Sequence, residues 1–279
     1  MTSTNGIQGA FSKTEKENRG AFIPYLTAGY PDPDIFLEIA QALADNGADI
    51  IEIGLPFSDP QADGPVIQKS SKDALDIGIN PDRVLELAAQ VRERVSTPLV
   101  IMSYYNPILQ MGHDTFARRA RKAGVNGVII PDLTPEEAAD WLVAAEDHDL
   151  DTIFMIAPTT PLERKQEILE IAKGFVYYVS LTGVTGAALG VSDGLLNDIN
   201  ELKALTSLPV AVGFGVSGPE QAAPLSKAAD GVIVGTALIK EIMNHSTPRD
   251  QVRAVAELAA SIRQAVESPA DMAAMREAS

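Results

Sequence analysis

One handover recurs along this chain: a helix ends in a short glycine- or aspartate-bearing turn and gives way to an apolar strand. It reads NGADIIEIG at 46–54, AGVNGVIIPD at 123–132 and AADGVIVG at 228–235. Self-similarity of this kind points to one supersecondary unit used repeatedly. The strands are near-continuous apolar runs, as in a parallel sheet covered by helices on its outer face. We place them at Ala21–Thr27, Asp49–Gly54, Pro98–Met102, Gly127–Ile130, Thr152–Ile156, Phe175–Ser180, 210–215 and 231–235. Helices follow each, at about 34–46, 66–77 with 81–94, 115–123, 134–148, 160–173, 195–205, from Pro219, and 237–243 with 250–266. Eight strand-then-helix units predict α/β architecture in the form of a single (β/α)8 TIM barrel. It carries an extra N-terminal helix within Ile7–Asn18 and additional helices after strands two and eight. Thr134-Pro-Glu-Glu137 and Thr160-Pro-Leu-Glu163 both read as capping boxes, and SYYNPI at 103–108 reads as a loop. Residues 1–279 form one domain on this reading, with a frayed tail from Ser268.

Composition narrows the partners. At 279 residues the chain suits one barrel, and its net charge of −16 with a pI near 4.5 argues against nucleic acid and anionic membrane. A small phosphorylated ligand needs only a local site and stays compatible with that charge. There is no Cys, so thiolate chemistry is absent. The N-terminus lacks the apolar core of a signal peptide, and no apolar run approaches the roughly 20 residues of a membrane span. The expected location is cytoplasmic.

In a barrel, residues just after each strand share one rim, where such enzymes carry their chemistry. Glu52 sits mid-strand among Ile50, Ile51 and Ile53, on the face it shares with Ile50 and Gly54. A carboxylate there costs several kcal/mol unless it is paired, hydrogen-bonded or protonated. The following loop adds Asp59 and Asp63. Other rim positions are Thr27, Tyr104, Asn106, Asp132, Pro158, Tyr177, Thr185, Phe214, Gly215 and Gly235. Two groups emerge. Glu52, Asp63, Tyr25, Tyr104, Tyr177 and Phe214 are acidic and aromatic; Gly183–Gly186, Gly213–Gly218 and Gly235-Thr236 are glycine-rich, as a phosphate cradle beside helix N-termini would be.

Gly213–Gly218 also spells G-x-G-x-x-G, but the next strand ends in Val234-Gly235 rather than the acid a dinucleotide fold uses. His113, His148 and His245 fall in or beside helices, which argues against metal. No Lys ends a strand, which argues against a Schiff base, and no Ser has a rim His. What remains is carboxylate acid–base chemistry on a phosphorylated, aromatic substrate. Trp141 lies on a helix and reads as packing.

FIPYLTAGYPD, IIEIGLPFSDPQADGPVIQ, YYNPI, GVIIPDLTPEE, GFVYYVSLTGVTGA and VGFGVSGPEQ resemble the tryptophan synthase alpha chain family, from about Phe22 to Lys240. The resemblance implies cleavage of indole-3-glycerol phosphate to indole and glyceraldehyde 3-phosphate, with Glu52 and Asp63 catalytic. For that reaction Tyr25, Met102, Tyr104, Tyr177 and Phe214 are expected to wall the indole, Thr185 to bind substrate, and Gly186, Gly215, Gly235 and Thr236 to bind phosphate. The resemblance also implies a partner beta chain, in an alpha2-beta2 heterotetramer, that carries pyridoxal phosphate and receives indole, with no cofactor in this chain. A stand-alone indole-releasing lyase shares these catalytic residues, and a non-catalytic scaffold for the beta chain is a third reading. Thr236 stands where the family commonly has Ser, and the stretch after Gly186 lacks an Arg found in some members.

Overall fold

The computed structural model describes residues 6–179, 192–213 and 215–267. Its eight strands are β1 (Ala21–Thr27), β2 (Ile51–Gly54), β3 (Leu99–Met102), β4 (Val125–Ile129), β5 (Asp151–Ile156), β6 (Val176–Val179), β7 (Val210–Gly213) and β8 (Gly231–Val234). They pair in sequence order, all parallel, and β1 closes on β8 through Ala21↔Gly231 to Pro24↔Val234. The predicted barrel is therefore present. Its helices are α1 (Ile7–Lys16), α2 (Pro33–Asp45), α3 (Pro65–Asp76), α4 (Pro81–Arg94), α5 (Tyr105–Met111), α6 (His113–Lys122), α7 (Ala139–Asp147), α8 (Leu162–Ile171), α9 (Asp193–Leu205), α10 (Pro219–Ala228), α11 (Thr236–Asn244) and α12 (Pro248–Ala265).

The period-two alternation of the strands makes two apolar layers. Ile23, Ile50, Val100, Ile129, Ile153 and Ile233 face the axis in one buried cluster. Their neighbours, such as Phe22, Ile51, Ile101, Val128, Phe154 and Val232, face the helices in the other. The extra N-terminal helix has a definite task. Ile7, Phe11 and Thr14, one face of α1 at helical spacing, are buried against the N-terminal end of the barrel. The Phe11 and Phe175 rings lie 5.6 Å apart. Gly127 and Gly231 make room for this plug: a Cβ at Gly127 would stand 2.8 Å from Ile7 Cδ1, and one at Gly231 3.2 Å from Phe11 Cε1. With that end closed, the opposite rim is left for a ligand.

Three local expectations differ from the structure. SYYNPI is not wholly loop, because Tyr105 opens α5. Asp132, from the loop after β4, accepts a hydrogen bond from Tyr105 N at 2.8 Å and so caps a helix whose own preceding residue, Tyr104, provides no side-chain cap. Pro107 falls in the first turn, where a missing N–H costs nothing. The two capping boxes do not form. Thr134 Oγ1 bonds the Glu137 carboxylate at 3.3 Å and leads into a 3-10 turn, Pro135–Glu137, ahead of α7. Thr160 Oγ1 is already committed, accepting from Ala157 N at 3.1 Å, and α8 begins only at Leu162. The tail from Ser268 lies outside the described residues.

Asp49 precedes β2 rather than opening it, and it clamps the base of the barrel. Its carboxylate takes a bidentate pair from Arg19, at 2.6 and 2.7 Å, and a bond from Phe22 N at 2.9 Å. Both side chains are almost wholly buried. Removing one partner of such a pair leaves a buried charge unsatisfied, at about 3–5 kcal/mol. We expect Asp49→Ala to destabilise the fold by about that amount in urea denaturation; a loss below about 1 kcal/mol would mean that water and the Glu17 carboxylate, already bonded to Arg19 Nε at 2.7 Å, suffice for the guanidinium.

Candidate active site

Glu52 lies on β2 in register with Tyr25 of β1 and Val100 of β3, on the inner face as its spacing from Ile50 requires. It is 1% exposed, and its Oε2 has no hydrogen-bond partner. Burial first, and the nearby Asp63 carboxylate second, push its pKa up to about 8. At neutral pH this residue is a carboxylic acid carrying a proton into a mostly apolar barrel.

Asp63 arrives from the loop between β2 and α3. Its N–H bonds Pro60 O at 3.1 Å, and its own carbonyl accepts Gln68 Nε2 at 2.9 Å, so both sides of the residue are tied down. Tyr104, just beyond β3, donates its hydroxyl to Asp63 Oδ2 at 3.1 Å and accepts Ala62 N at 2.9 Å. Burial raises the Asp63 pKa to about 6, against the lowering effect of the Tyr104 hydrogen bond. Two carboxyl groups thus share one site with protonation states held apart, which is how a site obtains an acid and a charged acceptor at one pH.

A cavity at the C-terminal end of the barrel brings Glu52 and Asp63 together with Tyr25, Met102, Tyr177, Gly215, Gly235 and Thr236. All eight were singled out in the sequence. Tyr25 and Tyr177 are held by missing side chains: a Cβ at Gly54 would lie 2.0 Å from the Tyr25 hydroxyl, and one at Gly213 2.2 Å from that of Tyr177. Burial, with the nearby acids, raises the pKa of both phenols well above their usual value, so they remain neutral. Gly215 has φ +81°, a backbone conformation that disfavours any side chain. Gly235 immediately precedes α11, whose first-turn N–H groups face the loop end, as an anion site requires.

Tyr104 does not line this cavity; it stands behind Asp63. Thr27 does not line it either; its hydroxyl is 2.6 Å from that of Ser70 on α3. Asn106 is exposed on α5, and Asp132 is used as the cap of that helix. Thr185, Gly186 and Phe214 lie outside the described residues. The lining also includes Val216, within the glycine-rich Gly213–Gly218 stretch, and Gly64, Ile67, Met155 and Ile233, which the sequence did not single out. Met155 lies two residues beyond inward-facing Ile153, so strict alternation along β5 was the available signal. The histidines lie elsewhere: His113 stacks on Tyr105, His148 pairs with Asp114, and His245 bonds Glu241 O. Trp141 is buried, donating Nε1–H to Thr152 Oγ1 at 3.1 Å.

A (β/α)8 barrel whose C-terminal cavity joins two carboxyl groups to glycines beside a helix N-terminus has the layout of an acid–base enzyme of the phosphate-binding barrel class. Comparison with known proteins makes this specific. The family model described as tryptophan synthase alpha chain matches residues 11–267, and the chain belongs to that family. The tryptophan synthase alpha chain of Geobacter sulfurreducens is 44% identical over 260 residues, spanning 93% of this chain and 98% of the relative. That of Carboxydothermus hydrogenoformans is 48% identical over 256 residues, spanning 91% and 96%. Among solved structures, the alpha chain from Legionella pneumophila subsp. pneumophila superposes with a TM-score of 0.86 at 40% identity, covering 93% of this chain and 96% of that one. A Mycobacterium tuberculosis tryptophan synthase structure gives 0.87 at 38% identity, covering 94% and 98%. The family consists of lyases that cleave indole-3-glycerol phosphate in tryptophan biosynthesis and pair with a beta chain.

The raised Glu52 pKa has a consequence for stability. An acid whose pKa is higher in the fold than in the unfolded chain stabilises fully below the unfolded value, and that contribution fades as pH rises through the folded one. For Glu52 the window runs from about 4.5 to about 8. Gln carries no such titration. The stability of Glu52→Gln relative to the native sequence should therefore grow between pH 5 and pH 9, by on the order of a few kcal/mol. Urea midpoints at the two pH values measure it, and an unchanged difference would mean that Glu52 is solvated.

Proposed function

We propose that Glu52 and Asp63 carry the cleavage of indole-3-glycerol phosphate, Glu52 as proton shuttle and Asp63 as acceptor of the indole N–H. The observation supporting this reading is the protonated, wholly buried carboxyl of Glu52 opening into the same cavity as an ionised Asp63. Breaking the carbon–carbon bond requires an electron sink. Glu52 delivers its proton to the substituted ring carbon, turning the indole into an indolenine cation. Asp63, holding the ring N–H, stabilises the positive charge that develops. The Glu52 carboxylate then removes the proton of the side-chain hydroxyl. As that oxygen becomes a carbonyl, the carbon–carbon bond breaks and its electrons return to the ring. Indole and glyceraldehyde 3-phosphate result, and Glu52 regains its proton.

Tyr25, Tyr177, Met102 and Met155 flank the ring in this reading. Gly215, Gly235 and Thr236 hold the phosphate through backbone N–H groups and the Thr236 hydroxyl, with Gly186, Thr185 and Phe214 completing the site. The chain works without a cofactor of its own, in an alpha2-beta2 heterotetramer whose beta chain carries pyridoxal phosphate, in the cytoplasm. No described helix is long and apolar enough to cross a membrane.

The reaction needs Glu52 protonated and Asp63 ionised. The pH profile of kcat/KM should thus be bell-shaped, falling below about 6 and above about 8. Glu52→Gln should abolish indole release while still binding substrate; near-native turnover by that variant would remove Glu52 from the mechanism. Gly235→Val should weaken glycerol phosphate binding in calorimetry by tenfold or more, roughly the loss of one charged hydrogen bond, and unchanged affinity would place the phosphate elsewhere.

A further inference from the structure

The Tyr104 phenol is buried beside the active site, yet it neither lines the cavity nor takes part in the proton transfers. Its backbone is fixed from both sides. Ser103 N bonds Ile129 O of β4 at 3.0 Å, Ser103 Oγ donates to the Tyr104 carbonyl at 2.8 Å, and Tyr105 N is capped by Asp132. From this post the ring crosses to the loop after β2, where Phe57 stacks on it with centroids 5.3 Å apart. A phenol has one proton. Because its oxygen accepts the Ala62 N–H, the phenol proton is directed to Asp63 Oδ2. Asp63 itself belongs to a connecting loop, so its aim is only as good as what holds it.

We propose that Tyr104 is a positioning residue: its hydroxyl fixes Asp63 Oδ2 so that Oδ1 is presented to the indole N–H, an inference that rests on the assignment of Asp63 to that N–H. The same bond favours the ionised carboxylate and counteracts burial, so its removal lets the Asp63 pKa rise. Ala62 is exposed, and water replaces the phenol on its N–H when the hydroxyl is deleted. The loss therefore falls on Asp63.

The test uses the purified chain with indole-3-glycerol phosphate and three variants, each checked for folding by thermal melting. Tyr104→Phe keeps the ring and removes the hydroxyl. It should lower kcat roughly ten- to a hundredfold, the effect of one hydrogen bond to a charged group, with little change in KM. It should also move the acid limb of the kcat/KM profile to higher pH while the alkaline limb stays. Phe57→Leu removes the stacking but keeps the hydroxyl, and should leave the acid limb in place. A folded Tyr104→Phe with native kcat and an unmoved acid limb would overturn the inference. So would equal losses in Tyr104→Phe and Phe57→Leu without a shift of that limb, since packing alone would then account for them. Asp63→Asn separates the two levels: native activity there defeats the role of Asp63 itself, whereas an inactive Asp63→Asn beside an unaffected Tyr104→Phe defeats only the positioning role.

Discussion

A carboxyl group in an apolar interior must be neutral, paired or absent, and Glu52 is the point at which this barrel confronts that choice. Oε2 has no protein partner, so the side chain stays protonated near neutrality. In the proposed mechanism the same burial that destabilises the anion suits the acid to its role, because proton transfer to a ring carbon requires an acid still loaded at working pH. Asp63 is half-buried and receives the Tyr104 hydrogen bond, so it ionises first. The difference between the two follows from which group sits on the strand and which on the loop. A strand residue facing the barrel axis cannot reach solvent; a loop residue can recruit donors.

The scaffold supports this arrangement by giving the two ends of the barrel different tasks. The N-terminal end is filled by Ile7 and Phe11 and clamped by Arg19 with Asp49. At the C-terminal end, glycine replaces bulk, so that Tyr25 and Tyr177 can lie across neighbouring strands and a helix N-terminus can meet the cavity. Stability and chemistry are thereby spatially separated, and substitutions at one end need not disturb the other.

The barrel was legible because its signals are local and repeated: apolar runs of strand length, a turn residue at each helix end, and a return to the same pattern. β1 and α4 have the bounds read from the sequence. Glu52 stood out by the same logic, as a charge in a run that tolerates none. The parts that escaped depend on partners distant in sequence. α5 is capped by Asp132, whose role cannot be inferred from the residues around Tyr105. The Thr160 box looked sound until its hydroxyl was found bonded to Ala157 N, a competitor that only the loop geometry supplies. Met155 and Ile233 face the cavity because of their depth in the barrel, and alternation gives a face without giving a depth. Tyr104 was recognised as a rim residue, but whether it touches ligand or Asp63 depends on the path of the loop after β2.

The helix that plugs the barrel also imposes an order on the growing chain. α1 precedes every strand, yet beyond Ala21 and Ile23 of β1 the surface that buries it comes from Gly127 of β4, Ile153 of β5, Phe175 just ahead of β6, and Gly231 of β8. β1 likewise has β8 as one of its two neighbours. Until the last strand emerges from the ribosome, Ile7 and Phe11 lack the complete site that shields them, and closure must bring together segments separated by most of the sequence. The apolar face of α1 therefore gains its full cover only when β8 is in place. Its final closing event seals both the sheet and its floor.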